Sequence, residues 1–145
     1  MTFPQIQKFI HEECPLVEPK LGDYDFALPT DDWVTGAFLR SWRELCISEN
    51  LVYQPGKFDC ENFAEKCSVH ARDCHRKTSG HSGQGLAFGE FWYEKAGLGA
   101  HGICVWITTT ADGKPAFRFL EPQPAARQIF LTPGEIKSCT ELFFS

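Results

Sequence analysis

One cysteine in this chain stands where a thiol could become a nucleophile. Cys60 lies in Gln54-Pro55-Gly56-Lys57-Phe58-Asp59-Cys60-Glu61-Asn62-Phe63-Ala64, where a turn-forming stretch runs into a helical pattern. A thiol is a poor nucleophile until something favours its anion. A helix N-terminus and a neighbouring imidazolium both do so. His101 opens a later strand-like run and Glu121 closes the next, so a base and a carboxylate to orient it are available in chain order.

Competing bases fit less well. His70 and His75 share the Cys60 helix and lie roughly 15–22 Å along it at about 1.5 Å per residue, out of reach. His81 sits in the Gly- and Ser-rich run 79–85, a candidate lid that would hold an imidazole loosely, and nothing places His11. Glu121 must share a sheet face with His101. That requires an odd hairpin loop, such as 110–114, or a bulge, because an even loop would pair His101 with Pro124 and turn Glu121 away; Gln123, on the same strand face as Glu121, is the substitute.

The elements that must carry these residues follow from periodicity. Residues 4–13 suit a short helix with Pro4 in its first turn. Residues 14–29, with three Pro and one Gly, read as an extended connection. Thr30-Asp31-Asp32 starts a helix to about Ser48, with Trp33, Val34, Ala37, Phe38, Trp42, Leu45 and Cys46 at helical spacing. Asp59 is the N-cap of the next helix, which places Cys60 at its first position and ends before Ser79. Cys60, Phe63, Ala64, Cys67, Ala71 and Cys74 share one stripe of it. Strands are expected over 87–93, 101–109 and 116–121, with shorter runs near 128–131 and 141–144, and a hairpin turn at Asp112-Gly113. Helices first and strands after give an α+β domain with an antiparallel sheet on the Cys60 helix. All 145 residues form a single domain in this reading, residues 1–50 a helical N-terminal part and 51–145 the core.

Composition excludes several classes. A net charge of −5 with no Lys/Arg cluster argues against nucleic acid. No run reaches membrane-spanning length, and the N-terminus carries no leader-like pattern. Seven cysteines without such a leader suggest free thiols in a reducing, cytoplasmic setting. Cys14, Cys46, Cys104 and Cys139 read as small core hydrophobes, and Trp33, Trp42, Trp92 and Trp106 as packing residues. Cys67-x-x-His70-x-x-x-Cys74-His75 resembles a zinc pattern, but Cys67 and Cys74 are two turns apart, about 10 Å. At most a neighbouring pair could bind, with ligands borrowed from elsewhere.

Asp-Cys-Glu-Asn-Phe-Ala at 59–64, His-Gly-Ile-Cys-Val at 101–105 and Phe-Leu-Glu-Pro-Gln at 119–123 resemble the papain-like and transglutaminase-like cysteine hydrolases over residues 50–125. The branch most similar in motif carries a Cys-His-Glu triad, as in the papain-like domain of a fungal agglutinin and small phage-encoded relatives. Asn62 stands where related motifs often have a second Asp. The resemblance implies that Cys60 attacks an acyl carbon, His101 moves the proton, Glu121 orients the imidazole and Gln54 helps hold the oxyanion. It implies a thiol protease working through a thioester acyl-enzyme on a protein or peptide substrate. Deamidation or acyl transfer by the same triad remains open, as does an inert member that binds and inhibits a partner protein. No cofactor or metal is expected: Asp59 and Glu61 form no recognisable calcium loop, although calcium is associated with the agglutinin-type relatives. Sequence assigns no oligomeric state.

Overall fold

Strand β5 (Gly99–Thr109) is buried on both faces. Ile103, Val105 and Ile107 join a cluster with Phe91, Phe117, Phe119 and the apolar side of helix α1 (Phe3–Glu13). Cys104 and Trp106 join another with Phe63, Phe88 and Trp42. Side chains alternate across a strand, so the sheet lies between two apolar layers. The computed structural model describes residues 1–78 and 83–144. Residues 79–82 of the expected lid, His81 among them, lie outside the described residues.

The elements follow the order α1, β1 (Lys20–Leu21), β2 (Phe26–Ala27), α2 (Asp31–Trp33), a π-helical stretch (Val34–Phe38), α3 (Leu39–Ser48), α4 (Cys60–Arg76), β3 (Gly85–Leu86), β4 (Phe88–Lys95), β5, β6 (Pro115–Glu121), β7 (Arg127–Ile129), α5 (Pro133–Lys137) and β8 (Glu141–Phe144). The main sheet has the order β1-β8-β4-β5-β6-β7, and β2 pairs with β3 apart from it. The chain is α+β, but the expected antiparallel sheet is mixed. β1 runs parallel to β8, with Lys20 opposite Phe143. The stretch 14–29 is therefore more than a connection: its backbone completes one sheet edge and, through β2, pairs with β3.

The helix expected over 30–48 starts as foreseen. Thr30 Oγ1 accepts the Trp33 N–H at 3.1 Å, as an N-cap does. It then widens into the π-stretch, which stacks Trp33 on Phe38 five residues on, with centroids 5.2 Å apart. Trp42 is fully buried, and its Nε1 donates to the Pro122 carbonyl at 2.8 Å, tying α3 to the chain just beyond β6. Asp31 links the same layer to the sheet by accepting from Trp106 Nε1 at 2.9 Å and Arg118 Nε at 3.3 Å. No helix among the described residues is long and apolar enough to cross a membrane.

Candidate functional site

Helix α4 begins at Cys60 because the preceding residues stop the chain locally. The Gln54 and Phe58 backbones close a tight turn, the Gln54 N–H donating to the Phe58 carbonyl at 2.7 Å and the Phe58 N–H to the Gln54 carbonyl at 2.9 Å. Asp59 is the extended N-cap, and Asn62 Oδ1 accepts its N–H at 3.1 Å. Phe58 packs edge-on against Phe63 with centroids 4.6 Å apart. That contact between the residue before the cap and the fourth helical residue is a hydrophobic staple, which fixes the angle of entry. Cys60 is left half-buried at the first helical position, beside free N–H groups at the positive end of the helix.

The direction of α4 puts Cys60 at a defined end of the sheet. Cys104 Sγ donates to the Ala64 carbonyl at 3.5 Å, which seats the second turn of α4 over the middle of β5. Near the other end of α4, His75 lines a cavity together with Leu86, two residues before Phe88, which pairs with Trp106. Helix α4 thus runs the same way as β5, and its N-terminus lies toward the end where His101 enters. Glu121 closes β6 at that same end.

His101 and Glu121 meet. The β5–β6 hairpin pairs Thr109 with Pro115 and leaves the odd five-residue loop 110–114, closed by the Thr110 N–H on the Lys114 carbonyl at 2.8 Å with Gly113 at φ +80°. That register puts Gln123 opposite His101 and leaves Glu121 diagonal to it on one face. Glu121 Oε2 lies 2.9 Å from His101 Nε2, with the two side chains 11% and 14% exposed. Glu121 Oε1 accepts the Gln123 N–H at 3.2 Å, so both carboxylate oxygens are held. Tyr93, opposite His101 on β4, presents its ring to the imidazole at 6.0 Å and 71°. The Tyr93 phenol is pushed up to about 12, first by burial and then by the charges of Glu135 and Glu121. A cleft of 420 Å³ opens beside the turn that follows, lined by Arg43, Ile47, Leu51 and Pro124.

The four residues expected to act together are not all in contact. His101 and Glu121 are in phase with Ile103 and Phe119, which face the α1 cluster, whereas α4 covers the other face. Cys60 shares their end of the sheet but makes no hydrogen bond to either. On the α4 side this point is filled by Trp92: a Cβ on Gly102 would come 3.0 Å from the indole. Gln54 is exposed on its turn, and its side-chain amide makes no hydrogen bond among the described residues. The close packing of the Trp92 indole on Gly102 was not read from sequence, where Trp92 stands as a packing residue. Their cross-strand pairing is the signal that would have found it.

The remaining thiols differ from Cys60. Cys14, Cys67, Cys104 and Cys139 are buried. Burial, then the charge of Glu49, pushes the Cys46 thiol up to about 11. Burial, then contact with Cys104, raises Cys67 well above the ordinary thiol value. Cys60 and Cys74 are the half-exposed cysteines. Among the described residues no three His, Cys, Asp or Glu side chains converge as a metal cage.

No protein-family model matches this sequence, and no curated protein matches it. Solved structures do share the fold. The chain superposes on PSL1a, the lectin of Polyporus squamosus, in a complex with E64, with a TM-score of 0.71 at 16% identity over 99% of this chain and 51% of that one. It also superposes on the Polyporus squamosus lectin bound to the human-type influenza-binding epitope Neu5Acα2-6Galβ1-4GlcNAc, with a TM-score of 0.73 at 15% identity over 99% of this chain and 49% of that one. The chain spans about half the length of the solved chains it matches. These likenesses correct the reading of the chain as a papain-like or transglutaminase-like thiol protease. The neighbours are a lectin's chains, and the partner in one is a trisaccharide rather than a protein or peptide. Amide hydrolysis, deamidation or acyl transfer, and inhibition of a partner protein are therefore set aside. The physical reason is that a cysteine at a helix start and a His–acid pair on adjacent strands specify a local arrangement, not a ligand, and one fold hosts unrelated functions.

Proposed function

We propose that Cys60, His101, Glu121 and Gln54 form a reactive-thiol centre at one end of the sheet, which takes an electrophilic ligand covalently. The observation that carries the reading is the 2.9 Å His101–Glu121 contact, with the carboxylate held on both oxygens, at the end of the sheet where α4 presents Cys60. In this reading the Cys60 sulfur bonds to an electrophilic carbon while its proton passes to His101, and the electrons of the breaking bond leave with the displaced group. Glu121 holds the imidazole ring. Gln54, on the turn that enters α4, donates to charge gathering on the ligand. In this reading the chain is one domain, in which residues 51–145 carry the site and 1–50 buttress it, with the thiol-bearing helix seated on the sheet. A reducing, cytoplasmic setting suits seven unpaired cysteines.

The test is intact-protein and peptide mass spectrometry after limiting iodoacetamide, and separately after E64. The reading expects one equivalent on Cys60 before any other cysteine, and none in Cys60→Ser. First labelling at Cys74, or equal labelling of both half-exposed thiols, would overturn it.

A second reading, glycan recognition, is favoured by the sialylated trisaccharide in one structural neighbour. It expects Neu5Acα2-6Galβ1-4GlcNAc to bind saturably in calorimetry. No heat at millimolar trisaccharide would remove it and leave the thiol reading untouched.

A further inference from the structure

Two thiols far apart in sequence meet where the N-terminal helix packs on the C-terminal part of the chain. Cys14 caps the C-terminal end of α1, and Cys139 lies in the turn between α5 and β8. The Ile136 carbonyl holds both, accepting the Cys14 Sγ–H at 3.3 Å and the Cys139 N–H at 3.2 Å. Cys139 Sγ donates in turn to the Glu141 carbonyl at 3.4 Å. Both residues belong to the apolar cluster that α1 covers. Their side chains touch, and that contact, then burial, raises the Cys139 thiol far above its ordinary value.

Neither thiol reacts readily while the fold is closed, because a buried thiolate is costly. Both nevertheless lie directly beneath the surface. Glu13, Pro15 and Thr140 are exposed, as is Leu16. A local opening of the 138–140 turn brings Cys139 to solvent without moving α4. Cys67 and Cys104 also touch, but they lie fully buried under α4, where Cys104 Sγ reaches the Ala64 carbonyl. Reaching that pair means parting the helix from the sheet.

We propose that Cys14 and Cys139 form a disulfide site, oxidised by a small-molecule disulfide of the glutathione class, which clasps the N-terminal helix to the segment that enters the last strand. The Cys139 thiolate attacks one sulfur of the oxidant and expels the first small thiol. The Cys14 thiolate then attacks the Cys139 sulfur and expels the second. Two protein thiols give up two protons and two electrons, and one oxidant disulfide becomes two thiols. The bond closes nearly the whole chain into a loop, which restricts the unfolded ensemble more than a short loop does. The clasp makes no use of Cys60, His101 or Glu121, so it stands apart from the thiol-centre reading.

The test equilibrates the full-length protein in glutathione buffers from reduced to oxidised. Remaining thiols are blocked with N-ethylmaleimide, disulfides are mapped by peptide mass spectrometry, and Tm is read alongside. The proposal expects Cys14–Cys139 as the first intramolecular bond, formed in one two-electron step, with a Tm at least about 5 °C higher in the oxidised protein. Cys60→Ser should show the same bond and the same shift. Cys14→Ala and Cys139→Ala should lose the redox dependence of Tm. A first bond between other cysteines, such as Cys67 and Cys104, would overturn the proposal. So would the absence of a Cys14–Cys139 bond at every glutathione ratio, or an oxidised protein that melts no higher than the reduced one. The parent protein decides each of these outcomes, so a variant that fails to fold does not mask them.

Discussion

Trp42→Phe tests how the strand end that carries Glu121 is held in place. Trp42 is fully buried and its Nε1 donates to the carbonyl of Pro122, the residue after Glu121. Phenylalanine keeps most of the packing but removes the donor. The Pro122 carbonyl then stays buried without a partner, at a cost of about 1–3 kcal/mol. The lost part of the indole leaves unfilled space worth about 1–2 kcal/mol more. Together these come to about 3 kcal/mol, or roughly 10 °C in Tm for a domain of this size. Thermal unfolding followed by circular dichroism reads the shift. Trp33→Phe, which breaks no hydrogen bond, should move Tm by less than half as much. A Trp42→Phe protein melting within 2 °C of the parent would refute the reasoning, because the Pro122 carbonyl would then not depend on the indole.

The sheet and its charges offer further checks. A Cβ at Gly89 would fall 1.7 Å from the Phe143 carbonyl oxygen, so Gly89→Ala should part β4 from β8 and cost several kcal/mol; Gly36→Ala, with nothing within 4 Å, should be neutral or stabilising by chemical denaturation. Burial, then the charge of Glu65, raises Glu90 above the ordinary carboxylate value. The folded state therefore holds that proton more tightly than the unfolded chain, and the stabilisation present below about pH 4.5 is lost as pH rises through the folded value. Glu90→Gln should then raise Tm at pH 7 and leave it unchanged at pH 4. Burial lowers His70 instead, so its neutral form stabilises the fold above about pH 6.5 and that support fades as pH falls below; a His70→Gln protein should show a flatter decline of Tm between pH 7 and pH 5.

Much of the scaffold was legible because it is local. Asp59 before a helical stripe marks a cap whatever the rest of the chain does, and α4 begins at Cys60. The apolar run within 101–109 marked a strand, and the need for a shared face demanded the odd loop that stands before Pro115. The parts that escaped are long-range. Lys20–Leu21 and Phe26–Ala27 are strands through backbone pairing with β8 and β3, and two residues carry no periodicity to read. The π-stretch arises where Trp33 and Phe38 stack, a tertiary preference overriding an α pattern. The site was half legible. Spacing allowed His101 and Glu121 one face only with an odd loop or a bulge, and it could not show that Trp92 packs on Gly102. A motif of local residues also does not name a ligand, which is why the protease reading did not survive comparison with the lectin chains.

The measurement that bears most directly on the thiol centre is the second-order rate of iodoacetamide labelling at Cys60, resolved by peptide mass spectrometry at pH 7. It compares the parent protein with His101→Ala and Glu121→Gln, using Cys74 as the internal reference. The account predicts that Cys60 reacts first. It predicts a fall of at least tenfold in His101→Ala and a smaller fall of about fivefold in Glu121→Gln, the latter from exchanging a charged for a neutral hydrogen bond worth about 1 kcal/mol less. The Cys74 rate should not change in either variant. A Cys60 rate no greater than that of Cys74, or one unmoved by His101→Ala, would contradict it.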